Sequence, residues 1–239
     1  MSSGPAIRAI RGVRDIPVLF AISGDPVELG LAESLGRPGA NFTGLTFLSL
    51  EIAAKRVDLL KQAMPQLRRL AVLSNTDHPG ERSERRATEE AARTLGLVVS
   101  YIPFTGGGEL DKGLSAVRDA KADAMVVFPE GATMVARAKI AQFAIAERLP
   151  SMFGWSEYAD SGGLMSYGAN QRETYVRLAA FADKLRRRQN RGATDRAANP
   201  VRAGREPADG SGARRHSSVV DSAASQSPDR VEAGPPTTL

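Results

Sequence analysis

Residues 16–44, IPVLFAISGDPVELGLAESLGRPGANFTG, decide the fold class of this chain. The apolar run 17–22 is short and aliphatic, which predicts a buried strand that breaks at the Ser-Gly pair after it. Asp25 is a favoured helix N-cap and precedes a proline, so we expect a helix over 25–36. An extended segment follows from Asn41. A strand, a loop over a helix start and a return strand form a geometry that binds small molecules.

The same alternation of strand and helix continues along the chain. Short apolar runs predict strands at 70–74, 97–102, 124–128 and 150–153. Amphipathic stretches predict helices at 48–64, 81–95, 109–120 and 133–148. A last short strand at 164–167 and a helix at 170–185 complete the pattern. The chain is therefore predicted to be an α/β protein with open parallel sheets covered by helices on both faces.

Several strings of this sequence carry a family resemblance. An IPIVF-like strand, a GDPV helix start, an RPGGN-like turn and a TG pair occur at 16–20, 24–27, 37–41 and 43–44. A later GLMSYG string occupies 163–168. On these strings the chain resembles the substrate-binding proteins of ABC transporters, in the branch described as tryptophan/tyrosine-type or uncharacterised. The resemblance extends to about Leu185.

The resemblance implies a two-lobe, type I periplasmic-binding-protein-like fold, in which hinged lobes close on a ligand. It places a partial lobe one at 1–47, lobe two at 48–153, and a segment that returns to lobe one at 154–185. The family's first strands and its closing strands have no match, so we expect lobe one to be incomplete and the chain truncated at both ends. We therefore expect weak or no ligand binding from this chain; tight binding by residues 1–239 would contradict that expectation.

The last segment, 186–239, differs in composition. It has four Val and one Leu, and no Phe, Tyr, Trp, Ile or Met. Such a segment buries too little apolar surface to offset its ordering entropy, so a disordered tail is predicted. A natural basic tail is one explanation of its Arg, Ala, Gly, Pro and Ser content. A frameshift near codon 186 in a GC-rich gene is the explanation that we favour.

Charge and composition exclude several classes of partner and site. The tail holds ten Arg and six acids, so it supplies most of the net charge of +5 and leaves the rest nearly neutral. Nucleic acid is therefore not an expected partner. With no cysteine, there is neither a disulfide nor a thiolate metal site. No apolar run is long enough for direct membrane insertion, and the start of the chain lacks a signal peptide, although the resemblance implies a periplasmic protein.

Candidate ligand-binding residues follow from the rule that loops at the carboxyl ends of parallel strands face the cleft. Polar residues beside the predicted strands and aromatic residues near the hinge give eight candidates: Asp25, Asn41, Thr43, Asn75, Glu130, Trp155, Tyr158 and Tyr167. Each has a structural alternative. Asp25 is explained by helix capping, the other polar residues by turns, and the aromatic residues by core packing.

No catalytic constellation emerges from the sequence. The glycines at 106–108 complete neither a dinucleotide fingerprint nor a P-loop. The string at 154–158 lacks the closing glycine of a nucleophile elbow, and the only later histidine is His216 in the tail. His78 beside Asp77 is too little for a metal site. We expect no enzyme activity, no cofactor and no metal.

The resulting hypothesis is a solute-binding component of an ABC importer. Its partners would be a small aromatic or amino-acid-like solute and an ABC permease, both implied by the resemblance. Two alternatives remain at this point. One is an effector-binding sensor domain of a regulator with the same fold, and the other is an α/β enzyme.

Overall fold

The computed structural model of the chain describes residues 4–36, 39, 41–47, 49–198 and 232–233. Helix α1 (Gly4–Ile10) precedes two parallel strands, β1 (Val18–Ile22) and β2 (Phe42–Thr46). A small apolar core joins the helix to this strand pair; its buried members are Ile7, Phe20, Ile22, Leu31 and Phe42. The strand, loop and return strand predicted from the sequence are therefore present.

The remaining described strands form a second, larger sheet in the order β4-β3-β5-β6-β7-β8. Its parallel strands are β3 (Arg69–Asn75), β4 (Val98–Phe104), β5 (Ala124–Val127), β6 (Ser151–Phe153) and β7 (Met165–Ser166). The last strand, β8 (Glu232–Ala233), is antiparallel to β7. The connecting helices are α2 (Ser49–Ala63), α3 (Glu81–Thr94), α4 (Leu110–Asp119), α5 (Gly131–Val135) and α6 (Arg137–Ala146). Helix α7 (Gln171–Ala198) lies against β1 and β2.

Both faces of the larger sheet carry a hydrophobic core. In β3, Ala71 and Leu73 belong to the core that includes side chains of α4 and α6, whereas Leu70 and Val72 belong to the core that includes side chains of α2 and α3. This alternation follows from the two-residue period of a strand. Because both faces of the sheet are covered here, residues 70–73 of β3 are all apolar. The prediction of an α/β fold with parallel sheets is confirmed.

The helix predicted over 25–36 is absent from the described residues of that segment. Residues 26–30 form a turn instead. The amide of Leu29 donates to the carbonyl of Asp25 at 3.0 Å, as in a helix, but Gly30 then adopts a φ of +64°. A left-handed residue reverses the direction of the chain, so one helical turn forms and ends.

Three further boundaries differ from the prediction. The helix predicted at 133–148 is divided at Ala136, where the backbone leaves helical geometry. Strand β7 pairs with β6, so this part of the predicted return segment belongs to the larger sheet. Helix α7 continues past Leu185 to Ala198, because its Arg, Ala and Gln residues favour propagation of a helix that has already started.

The predicted disorder of 186–239 is corrected for two parts of the tail. Residues up to 198 are helical, and residues 232–233 form β8. Residues 199–231 and 234–239 lie outside the described residues.

A close contact between strands explains why the second residue of the TG pair at 43–44 is a glycine, Gly44. A Cβ at this position would lie 2.2 Å from the backbone oxygen of Phe20 in the neighbouring strand. We expect Gly44→Ala to lower the free energy of unfolding by about 1–3 kcal/mol, because the two strands must move apart. Urea unfolding followed by circular dichroism measures this loss. Gly108→Ala is the matched control, since no atom lies within 4 Å of the added methyl; equal losses in both variants would contradict the strand contact.

Candidate ligand-binding cleft

The two sheets meet at the carboxyl ends of their strands. The hydroxyl of Ser23, after β1, donates to the carbonyl of Pro129, after β5, at 3.4 Å. A Cβ on Gly24 would lie 3.2 Å from the backbone nitrogen of Gly80, so the loops after β1 and β3 touch. We define the cleft as the surface between the two sheets at these strand ends. The small sheet contributes loop 23–28. The large sheet contributes three segments: 75–83 (called loop 75–83 below, although it includes the start of α3), 128–130 and 154–158.

An aromatic pair connects the two sheets at the cleft. Phe47 directly follows β2 and Trp155 closely follows β6, and their rings meet edge to face with centroids 5.8 Å apart. Both side chains are buried, Phe47 with 4% and Trp155 with 2% of its surface exposed. The sequence analysis singled out Trp155 but missed Phe47. The rule that loops at the carboxyl ends of parallel strands face the cleft also selects Phe47, because Phe47 is the residue after β2.

The other two aromatic candidates lie in the cores of the larger sheet. Tyr158 is fully buried and stacks on Phe153, with ring centroids 4.7 Å apart. Burial raises the pKa of the Tyr158 phenol, which keeps it neutral. Tyr167 is half-buried and packs against the core below α2 and α3. These contacts are the core-packing alternative stated for both residues.

Three polar candidates lie at the cleft edge and bind backbone there. Asp25 Oδ1 accepts hydrogen bonds from two amides of the following turn, at 2.7 and 3.4 Å. The Glu130 carboxylate accepts from two amides at the start of α5, at 2.7 and 2.8 Å. Asn75 Oδ1 accepts at 3.1 and 3.3 Å from amides of its own loop and of the loop after β4. Each side chain therefore fixes the shape of a cleft loop.

Asn41 and Thr43 occupy a different part of the small sheet. The Asn41 amide donates at 3.1 Å to the carbonyl of Val13, in the segment before β1. Thr43 is the second residue of β2 and pairs with Leu19. In a parallel pair the amino ends of the strands share one edge, so these two residues lie toward the edge opposite the cleft.

A buried charged cluster, which sequence analysis missed, lies behind the cleft. It consists of Arg56 in α2, Glu84 in α3 and His78 in the loop after β3, each less than 5% exposed. His78 Nε2 lies 2.9 Å from one Glu84 oxygen, and an Arg56 nitrogen lies 3.6 Å from the other. Arg56 Nε also donates to the carbonyl of Tyr167 at 2.8 Å.

Burial lowers the pKa of the Arg56 guanidinium, and the nearby Glu84 carboxylate opposes that shift. No sequence pattern marks this cluster, because Arg56 and Glu84 belong to helices that carry many other charges. A charged residue on such a helix is ordinarily solvated. Only the packing of α2 against α3 brings the two together.

Two kinds of feature are absent from the described part of the chain. No three or more His, Asp or Glu side chains there converge as metal ligands do. No helix within the described ranges combines the length and the apolar character needed to cross a bilayer.

Two α/β units that face each other across the carboxyl ends of parallel strands form the architecture of type I periplasmic binding proteins. Residues 3–192 match the family model described as ABC transporter substrate binding protein. The chain belongs to this family.

The chain is also similar to proteins of known name or structure. A tyrosine-binding protein of Clostridioides difficile (strain R20291) is 24% identical over 186 residues, which cover 77% of this chain and 52% of the relative. The chain thus spans about half the length of the curated relative that it matches. The ABC domain from Streptococcus pneumonia in complex with L-Trp is 20% identical, with a TM-score of 0.69 and coverage of 76% and 62% of the two chains.

A further similar structure is the ligand-free, open form of a substrate binding protein with adhesive properties from Clostridium difficile. It is 26% identical to this chain, with a TM-score of 0.52 and coverage of 76% and 61% of the two chains.

Proposed function

We propose that this chain is a non-catalytic solute-binding component of an ABC importer that closes its two lobes around a small aromatic or amino-acid-like solute. The observation that carries the proposal is the meeting of the two sheets at their carboxyl ends, with the Phe47–Trp155 pair between them. Both rings are buried in the described arrangement, and they would offer a flat ligand edges and faces to pack against once the lobes separate. The closed form would then be presented to an ABC permease outside the cytoplasm.

The names of the relatives support an aromatic amino acid as the solute. One relative is named a tyrosine-binding protein, and one similar structure holds L-Trp. Both amino acids combine a flat ring with a charged backbone group, so the ring would meet Phe47 and Trp155. The polar part would meet the backbone of the loops that Asp25, Asn75 and Glu130 shape.

Support for a closed arrangement of the lobes comes from direct contacts. Besides the Ser23 and Gly24 contacts, the hydroxyl of Ser83 donates at 2.7 Å to the carboxylate of Glu28 on the opposite loop. The chain also superimposes better on the structure with L-Trp than on the open one, with TM-scores of 0.69 and 0.52. Sequence identity runs in the other order, 20% and 26%. We infer that the described arrangement is a closed one.

Trp155 is the single tryptophan of the chain, so the tryptophan fluorescence comes from one known position beside the cleft. Addition of L-tyrosine or L-phenylalanine should shift the Trp155 emission saturably, with excitation at the red edge of tryptophan absorption. L-Alanine should cause no shift, because it offers no ring. The titration extends to millimolar solute, since weak binding is expected from the sequence.

Calorimetry on matched variants sharpens this test. Phe47→Leu should weaken binding about tenfold, because an aromatic contact is worth about 0.5–1.5 kcal/mol beyond its buried area. Phe143→Leu, in α6, should leave binding unchanged, since Phe143 packs against the core on one face of the larger sheet and not at the cleft. Absence of both a heat and a fluorescence change with every aromatic amino acid would reject the proposed function.

A further inference from the structure

The buried cluster of His78, Glu84 and Arg56 lies directly behind the place where the two lobes touch. A Cβ on Gly80 would lie 3.1 Å from Nε2 of His78 and 2.9 Å from the carbonyl oxygen of Ser23 in the opposite lobe. Gly80 is thus confined between the imidazole and the facing loop. The His78 ring therefore lies directly behind the part of this loop that contacts Ser23.

Each member of the cluster belongs to a different part of the larger lobe. Glu84 is in the first turn of α3, and its backbone amide donates to the carbonyl of Gly80 at 2.9 Å. Its side chain accepts from His78 at 2.9 Å and lies 3.6 Å from Arg56. Arg56 is anchored by the carbonyl of Tyr167, next to the segment where the chain turns toward α7. The cleft loop is thus connected through Glu84 to α2 and to the end of β7.

The hydrogen bonding of this cluster is only partly satisfied. Within the described residues, His78 Nδ1, Arg56 Nη1 and Glu84 Oε2 are buried without a hydrogen-bond partner. The hydrogen bond to Glu84 is therefore the side-chain hydrogen bond that holds the His78 imidazole within the described residues. A buried polar network of this kind depends strongly on each bond that it does make.

We propose that His78 is a positioning residue for solute binding, which holds loop 75–83 against loop 23–28 and so sets the population of the closed form. The link to solute rests on the proposed function. Loss of the hydrogen bond between His78 and Glu84 lets Gly80 move, and loop 23–28 then loses its contact with Gly80. Apparent affinity then falls by the same factor as the closed fraction.

Amide hydrogen exchange of the full 239-residue chain without solute tests this proposal. His78→Leu keeps the volume but removes the donor, and should accelerate exchange about tenfold in peptides 23–28 and 75–83. Exchange in the core strands, 70–73 and 124–127, should not change. His78→Gln, whose amide donates to Glu84, should restore most of the protection. Equal effects of Leu and Gln, or acceleration spread evenly over the core strands, would overturn the proposal.

A second variant keeps the test decisive if His78→Leu does not fold. Gly80→Ala removes no member of the cluster but places a methyl group between the His78 ring and Ser23. It should accelerate exchange in the same two loops, whereas Gly108→Ala should not. Unchanged exchange in loop 23–28 would refute the contact.

Different outcomes would contradict the proposed function and the proposed role of His78. If no aromatic amino acid binds but exchange follows the expected pattern, the role of His78 in holding the two loops together stands and the proposed function falls. If solute binds equally well to wild type, His78→Leu and Gly80→Ala, the positioning role falls and the proposed function stands.

Discussion

Replacement of Arg56 by methionine should lower the free energy of unfolding by about 3–5 kcal/mol, because it leaves a buried carboxylate without its countercharge. Glu84 is fully buried, and Arg56 is 2% exposed. The guanidinium also satisfies the carbonyl of Tyr167 at 2.8 Å. Methionine matches the length of the arginine stem but supplies neither the charge nor a donor. Urea unfolding followed by circular dichroism measures the loss.

Two controls separate the charge effect from lost packing. The double variant Arg56→Met with Glu84→Met should lose less than the sum of the two single losses, because no uncompensated charge remains. Arg93→Met removes the arginine of an exposed pair with Glu90 in α3 and should change stability little. Additive losses at Arg56 and Glu84, or a loss at Arg93 as large as that at Arg56, would contradict a buried ion pair.

Replacement of Phe153 by alanine should also cost about 3–5 kcal/mol, since it opens a cavity in a close-packed core. Phe153 is fully buried in β6 and stacks on Tyr158. Trp155 belongs to the same apolar core, so its emission in the variant should move to longer wavelength as water enters. Denaturant unfolding gives the free energy, and the emission maximum gives an independent local signal.

Val98→Ala is the control for a strand position outside the core. Val98 begins the edge strand β4 and is 65% exposed, so the change should cost less than about 1 kcal/mol. Equal losses at Phe153 and Val98, or an unchanged Trp155 emission in Phe153→Ala, would show that β6 does not pack as described.

Local pattern was sufficient for several elements of the larger sheet. The uninterrupted apolar runs at 70–74 and 124–128 predicted buried strands, and β3 and β5 are found there. The helix predicted at 81–95 agrees with α3, and Asn170 accepts from the amide of Glu173 at 3.0 Å where the helix predicted at 170–185 begins. These features depend on neighbours within a few residues, and such neighbours are visible in the sequence.

The candidate site was predictable only in outline. The rule for carboxyl ends of strands placed Asp25, Asn75 and Glu130 at the cleft edge, where the structure has them. It did not show that their side-chain oxygens accept hydrogen bonds from backbone amides, because those hydrogen bonds depend on the exact turn that each loop adopts. Asn41 lies toward the opposite edge, since the direction of β2 places the residue before it at the amino end.

The sequence by itself determined the alternation of strands and helices, the parallel α/β class and the apolar faces, because each follows from side-chain periodicity over a few residues. The tertiary structure alone decided the turn that ends at Gly30, the meeting of Phe47 with Trp155, and the burial of Arg56 beside Glu84. These features join segments far apart in the chain, and their free energy comes from packing and desolvation that arise only when both segments are in place.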